Sequence, residues 1–291
     1  METKRELSLE ECKSRTQALF ERFTVFCEEN GLRYYTAYGS CIGAMRHGGF
    51  IPWDDDVDVS MPREDYNRLI RMLVDNASPQ LRLFAPGDPA QYWLYYVKVT
   101  DPATQLESDY MRDIPGMGLF VDVFPMDEAN LTPEQIAPIE KKMVSCIKHL
   151  RLSNMTRYWP SKNPVKNVIK RLIFADAQRR GGAYWYNKLQ RIICAAKARP
   201  ASPDTAPYYL CGFTAIDKSL FGEGTLQTFE DFQVRVPEKT DAYLTKLYGD
   251  WRRLPPEEAR VTTHDFHAYL TEETAEAAPL PRTPQDLHDE K

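Results

Sequence analysis

The chain has 291 residues, with 37 Lys or Arg against 42 Asp or Glu and a formal net charge of −5. That length buries a sizeable core, as one large domain or as a domain with an appended helical lobe. No apolar run approaches the roughly 20 residues of a membrane span. The opening Met-Glu-Thr-Lys-Arg-Glu lacks a signal-peptide core, and the six cysteines (12, 27, 41, 146, 194, 211) contain no Cys-x-x-Cys, so a reducing cytoplasm is expected.

The first element is a helix. Ser8 and Glu11 make a capping box, and Leu9, Cys12, Thr16, Leu19, Phe20, Phe23 and Cys27 trace one face down to an Asn30-Gly31 stop. Tyr34 to Tyr38 then reads as a strand ending in Gly39-Ser40, followed by a short helical run from Cys41 to Arg46. A strand passing through Gly-Ser into a helix start offers backbone N–H groups and a hydroxyl to an anion. Alone, Gly-Ser is more often just a turn.

Next come Asp54, Asp55, Asp56 and Asp58, four carboxylates in five consecutive residues, directly after the apolar Phe50-Ile51-Pro52-Trp53. Carboxylates this close repel one another and lose hydration when buried. Something cationic must compensate, and a hard divalent ion taking oxygen ligands is the simplest candidate. Acidic runs are usually solvated loops, but Asp-Val-Asp-Val alternates as a half-buried strand does. If 56–60 is extended, Asp56 and Asp58 share one face while Val57 and Val59 turn to the core. An EF-hand is excluded. Counting from Asp54, the sixth position is Val59 where glycine is required, and the twelfth is Asp65 rather than Glu.

A helix follows from Arg63 to about Asp75, with strands near 81–84, 92–99, 104–108 and 119–124. Asp122 is the only charge in the apolar strand Leu119 to Phe124. A buried unpaired Asp is costly, so Asp122 should face a metal, a donor or a cation. Stretches around 133–152, 164–178 and 184–198 look helical, and Glu238 to Tyr248 gives a last amphipathic helix. From Thr271 the tail holds Pro279, Pro281, Pro284 and six acids with almost no large apolar residue, and reads as disordered.

Gly39-Ser40 followed seventeen residues on by Asp56-x-Asp58 is the layout of nucleotidyltransferase-type sites. Together, Gly39 to Ala44, Arg46-His47, Phe50 to Asp58, Arg63-Glu64-Asp65-Tyr66 and Val121 to Asp127 resemble the LicD family, whose relatives include the fukutin-type transferases. A late block also fits, with Val236-Pro237, Tyr243-Leu244, Leu247 to Trp251, Leu254-Pro255-Pro256 and then His264. The likeness is scattered over residues 30 to 265. Ser40 and Cys41 stand where the family has Thr and Leu, which keeps the hydroxyl. The Cys-rich zinc element of the fukutin-type relatives has no counterpart.

The resemblance implies an α/β (α+β) fold: a nucleotidyltransferase-like mixed sheet core flanked by helices, with an appended basic helical region. The expected division is a catalytic core over 1–130, the basic helical region over 131–200, a part completing the catalytic domain over 201–270, and the tail 271–291. The implied reaction is transfer of a phospho-substituent, best known as phosphocholine, from a CDP-activated donor to a sugar hydroxyl of a cell-surface glycan or its lipid-linked precursor. Asp56, Asp58 and Asp122 become the catalytic and metal-binding set, holding one or two Mg²⁺ (or Mn²⁺) ions. Asp122 either completes that set or accepts the acceptor's proton. Gly39, Ser40, Arg46, His47, Lys98 and His264 become donor- and phosphate-binding residues. Arg46 and His47 are equally suited to pairing with the acid run, and Lys98, in the strand Tyr95 to Val99, to facing solvent. Attack on the choline-bearing phosphorus releases CMP, and attack on the other is nucleotidyl transfer; the residues do not choose between them. Tyr92-Trp93 and Tyr95-Tyr96 are either core or a cation–π cage for a quaternary ammonium.

Residues 141–200 carry 15 Lys or Arg and one acid, Asp176, a net +14 that leaves about −19 for the rest of the chain. Tyr158, Trp159, Tyr184, Trp185 and Tyr186 lie among these bases. Basic helices with interfacial aromatics suit anionic lipid headgroups, so the enzyme is expected in the cytoplasm, either free or peripheral at the inner face of a membrane. The same bases also balance the acidic remainder within the fold. No nucleic-acid-binding motif accompanies them.

Three functions compete. The first is metal-dependent transfer of phosphocholine, or of ribitol- or glycerol-phosphate from a CDP-alditol. The second is a glycosyltransferase whose Asp-x-Asp holds a nucleotide-sugar, disfavoured because only one helix and one strand precede the acids. The third is an inactive relative that binds anionic glycan or lipid, against which the intact Asp56, Asp58 and Asp122 argue.

Overall fold

A computed structural model describes residues 5–75, 80–86, 92, 94–260 and 266–271. Helix α1 (Leu9–Glu29) opens with the expected capping box. The Glu11 N–H donates to Ser8 Oγ, and the Ser8 N–H donates to the Glu11 carboxylate at 2.9 Å. Leu19, Phe20, Phe23 and Cys27 are wholly buried against the sheet, and Gly31 leaves the helix with a φ of +58°. Then follow β1 (Tyr35–Thr36), α2 (Tyr38–Ile42) and a π-helical turn over Gly43–His47. β2 (Val57–Pro62) runs directly into α3 (Arg63–Asp75), and β3 (Arg82–Phe84), β4 (Val97–Thr100), β5 (Thr104–Ser108) and β6 (Phe120–Leu131) complete the first half. The second half comprises α4 (Pro133–Ser153), α5 (Pro164–Lys197), β7 (Ala206–Cys211), β8 (Thr214–Asp217), β9 (Thr225–Phe229), β10 (Phe232–Val236), α6 (Thr240–Tyr248) and β11 (Phe266–Leu270).

The architecture is mixed α/β, a sheet flanked by helices. Its strand order is β1-β2-β6-β4-β3, with β7 pairing β6 and β8 pairing β7. β2 and β6 are parallel, and the other pairs are antiparallel. The N-terminal half of β6 lies between β2 and β4, and its C-terminal half pairs with β7. β9 and β10 form a separate hairpin, and β11 pairs with β5. α4 and α5 pack a second core on β6, β7 and β8 through Leu131, Met143, Leu189, Ile193 and Leu210.

One buried carboxylate ties these layers together. Asp127 on β6 accepts from Arg63 Nε and Nη2 at 3.0 and 2.5 Å, where α3 begins, and from Lys197 Nζ at 2.7 Å, where α5 ends. Burial pushes its carboxyl up, but the two cations outweigh burial and hold it below the usual carboxylate range.

Several expected elements shift. The predicted strand 34–38 shrinks to two residues, because Tyr38 takes a φ of +46° and already opens a helix. Gly39-Ser40 therefore sits inside the first helical turn rather than before it. The strand foreseen over 92–99 begins only at Val97. The helices foreseen over 164–178 and 184–198 form one run broken at Gly181, whose φ of 76° and ψ of 167° are not helical. The predicted tail 272–291 lies outside the described residues. No helix among the described residues is long and apolar enough to cross a membrane, and all six cysteines are free thiols.

Candidate active site

Three neighbouring strands bring three charged side chains into one row. On the parallel pair β2–β6, Asp58 is the register partner of Asp122, and on β4 Lys98 is the partner of Asp122 from the other side. Register partners share a face of the sheet. The intervening residues Val57, Val59, Val97, Val99, Val121 and Val123 are fully buried on the opposite face. The alternation in Asp-Val-Asp-Val thus recurs in all three strands, and it aims the charges away from the main core.

Lys98 Nζ donates to Asp122 Oδ1 at 2.5 Å and sits over the Phe120 ring, 3.0 Å from its centroid. Burial presses the Lys98 ammonium pKa down, more than the charge and hydrogen bond of Asp122 lift it. Burial, together with the charges of Asp56, Asp122 and Asp54, drives Asp58 well above the usual carboxylate range, with Lys98 opposing. The chain thus maintains an unfavourable concentration of negative charge.

Asp58 is held by its backbone. Its N–H donates to Ser40 Oγ at 2.9 Å, and its carbonyl accepts from the Ala37 N–H at 2.9 Å. Ser40 is buried. Gly39 lies close to the acid run, where a Cβ would come within 3.0 Å of Asp54 Oδ2.

Asp54, Asp56, Asp58, Asp122 and Lys98 line a cavity of about 620 Å³ that Gly39 also borders. Asp55 is buried outside that lining. The cavity has an aromatic wall of Tyr38, Tyr95, Tyr96, Phe124 and Phe213. The rings of Tyr95 and Tyr96 lie 4.9 Å apart edge to face, Tyr96 and Phe124 are 4.4 Å apart, and Tyr38 stacks on Phe213 at 5.5 Å. These rings pack on the core and face the cavity at once, so the two alternatives for the tyrosine clusters are not exclusive. Trp93 lies outside the described residues.

Arg46 and His47 do not join this row. Arg46 lines an adjoining cavity of about 800 Å³, which shares Gly39 and Tyr248 with the first and adds Trp53, Arg253 and Arg260. Arg46 Nη1 donates to the Trp251 carbonyl at 2.8 Å and its Nε to His47 Nε2 at 3.0 Å, while His47 is exposed. Arg260 lies 5.7 Å from the Trp53 ring centroid. His264 lies outside the described residues.

Sequence reasoning did not select Tyr38, Phe124, Phe213 and Tyr248, nor Arg253 and Arg260. The two arginines flank Pro255-Pro256 in one loop, a local clue. Phe213 has none, because only sheet pairing brings it to Tyr38.

Among the described residues no group of three acidic, imidazole or thiolate side chains already closes into a metal cage. The donor set still fits a hard divalent ion. It is all oxygen, and burial, with the neighbouring carboxylate charges added to it, raises Asp58 in the way that such a cation would relieve.

Residues 31–142 match the family LicD/FKTN/FKRP, nucleotidyltransferase domain, a span that includes Gly39, Ser40, Arg46, His47, Asp56, Asp58, Lys98 and Asp122. Over 266 residues the chain is 28% identical to the lipopolysaccharide cholinephosphotransferase LicD of Haemophilus influenzae, covering 87% of this chain and 94% of that relative. Over 38 residues it is 53% identical to the ribitol 5-phosphate transferase FKRP of Homo sapiens and of Mus musculus, covering 13% of this chain and 8% of each relative. The resemblance read from the acid run and its flanks is thereby borne out.

Proposed function

We propose that the chain, whose residues 31–142 match the LicD/FKTN/FKRP nucleotidyltransferase domain, transfers a phospho-substituent to a sugar hydroxyl. The group favoured is phosphocholine from CDP-choline, with CMP released and a cell-surface glycan or its lipid-linked precursor as acceptor. The observation that carries this is the cavity itself, lined by a carboxylate row, Lys98 and aromatic rings that include Tyr38, Tyr95, Tyr96, Phe124 and Phe213. Such a lining suits a phosphate and a quaternary ammonium carried on one donor.

Asp56, Asp58 and Asp122 would hold Mg²⁺ or Mn²⁺, which supplies neutralisation of pyrophosphate charge and lowers the pKa of the attacking hydroxyl. Lys98 orients Asp122 and adds positive charge beside the phosphates. Ser40 fixes the backbone that carries Asp58. The rings receive the trimethylammonium group and keep water from the reacting phosphorus. The new bond joins the sugar oxygen to the choline-bearing phosphorus, and the bond to CMP breaks with its electron pair on the leaving oxygen. The hydroxyl proton passes to a carboxylate of the row. The adjoining cavity, with Arg46, Arg253, Arg260 and the Trp53 ring, offers cations and a stacking face for the nucleotide. His264 joins the donor contacts on the resemblance alone.

Transfer of ribitol- or glycerol-phosphate is the second reading, supported by the short, strong similarity to a ribitol 5-phosphate transferase. Calorimetric titration with CDP-choline, CDP-ribitol and CDP-glycerol, each with and without Mg²⁺, separates the two. Metal-dependent binding of CDP-choline well above the others supports the first. Preference for a CDP-alditol supports the second, and no binding to any of them in folded protein rejects both.

A further inference from the structure

The N-terminal half of α5 carries an apolar stripe with no cover among the described residues. Val165 is 67% exposed, Val168 60%, Ile169 51% and Leu172 66%. Their spacing of three, four and seven residues puts them on one helical face. The opposite face is the one that packs. Phe174 meets Tyr158 at 5.7 Å between centroids, Ala177 is buried, and Gln178 donates to the carbonyls of Leu152 and Met155. Isolated exposed apolar residues are ordinary, whereas four contiguous ones turned squarely outward mark a contact surface.

The surroundings of the stripe are cationic. Lys162, Lys166, Lys170 and Arg171 are all exposed around it. The one acid of the region, Asp176, is taken up by Arg179 and Arg180 at 3.0 and 2.9 Å. At 100° per residue, Lys166 and Arg171 border the stripe on its two sides. An apolar stripe flanked by bases complements a lipid interface, with aliphatic side chains at the acyl boundary and ammonium or guanidinium groups among anionic headgroups.

We propose that residues 164–180 are an interfacial helix that docks this protein on an anionic lipid bilayer. A second copy is the poorer occupant, since pairing two stripes would bring two strongly basic faces together. The chain's own acidic tail is poorer too, because Leu280 and Leu287 are its only large aliphatic residues. The docking helix is also joined to the site. α4 lends Ile147, Leu150 and Arg151 to the cavity wall, and α4 leads through residues 154–163 into the stripe. A docked helix therefore holds the cavity near the headgroup plane, where a lipid-linked acceptor presents its sugar. The docking itself does not depend on which group is transferred.

Co-sedimentation of the full chain with vesicles tests this. Binding to phosphatidylglycerol-containing vesicles, weak binding to pure phosphatidylcholine, and weakening by salt are expected. The double variants Val168→Asp/Leu172→Asp and Lys166→Glu/Arg171→Glu should each lose at least about tenfold in vesicle affinity. Their circular dichroism and CDP-donor affinity should stay unchanged. The docking proposal fails if the wild type ignores anionic vesicles or if the aspartate variant binds them equally. It also fails if the wild type is a dimer that the aspartate variant splits, which would assign the stripe to a second copy. Because donor affinity is measured separately, failure here leaves the transferase proposal standing, and the reverse holds as well.

Discussion

Asp58 and Asp122 occupy one rung of the central sheet as register partners on parallel strands. Like charges facing each other across a strand pair are destabilising, and among the described residues the hydrogen bond of Lys98 goes to Asp122. The rung is therefore held at a cost that the rest of the fold offsets, which is how binding sites for cationic groups are built.

Asp58→Asn should separate stability from function. Removing one of the crowded charges should raise the stability of the ligand-free protein by about 1 kcal/mol and lower transfer by at least about 100-fold. Thermal unfolding and an assay of CMP release would measure both. Undiminished transfer would refute the assigned role of the row.

Lys98→Met should leave Asp122 buried beside an apolar side chain and destabilise the fold by about 3–5 kcal/mol. Adding Asp122→Asn to that variant should restore much of the loss. A urea-denaturation cycle of the four proteins would show the coupling, and strictly additive effects would contradict the ion pair.

Asp127→Asn should cost about 3–5 kcal/mol, since Arg63 and Lys197 would both lose their carboxylate. The folded carboxyl titrates below its ordinary range. Its contribution is therefore complete above the unfolded carboxylate pKa of about 4 and is lost as pH falls toward the depressed folded value. The stability gap between wild type and variant should be wide at neutral pH and close on acidification below about pH 4. A gap independent of pH would rule this out.

Tyr96→Leu should weaken CDP-choline by about tenfold through loss of ring–cation attraction while leaving CDP-glycerol unchanged. Equal weakening of both would mean that Tyr96 shapes the cavity without recognising the ammonium.

Gly43→Ala should lower stability by about 2 kcal/mol or more, because a Cβ there would collide with the Gly49 carbonyl oxygen. That turn precedes the acid run, so transfer should fall with it. Chemical denaturation gives the first effect, and wild-type stability would disprove the close approach.

What was legible in the sequence was local. The capping box and face of α1, the bounds of α3 and the alternation around Asp58 and Asp122 rest on patterns a few residues long, and the structure keeps them. The stretch Tyr34 to Tyr38 misled because aromatic residues favour strands, whereas the helix start at Tyr38 is set by its left-handed backbone and by contacts with distant residues such as Tyr243. Lys98 looked as fit for solvent as for phosphate, because its bond to Asp122 exists only once β4 has found its register on β6. Arg46 adjoins the acid run in sequence yet turns to the Trp251 carbonyl, a partner 205 residues on. The aromatic wall is assembled from strands and loops far apart in the chain, and no local periodicity encodes such a meeting.

The Ser40 hydroxyl has one further consequence. Its oxygen accepts from the Asp58 N–H, and the buried residue borders neither cavity. Ser40 therefore serves the site from behind, pinning the first turn of α2 to the strand that carries Asp58. Any shift of that turn would carry the carboxylate row with it.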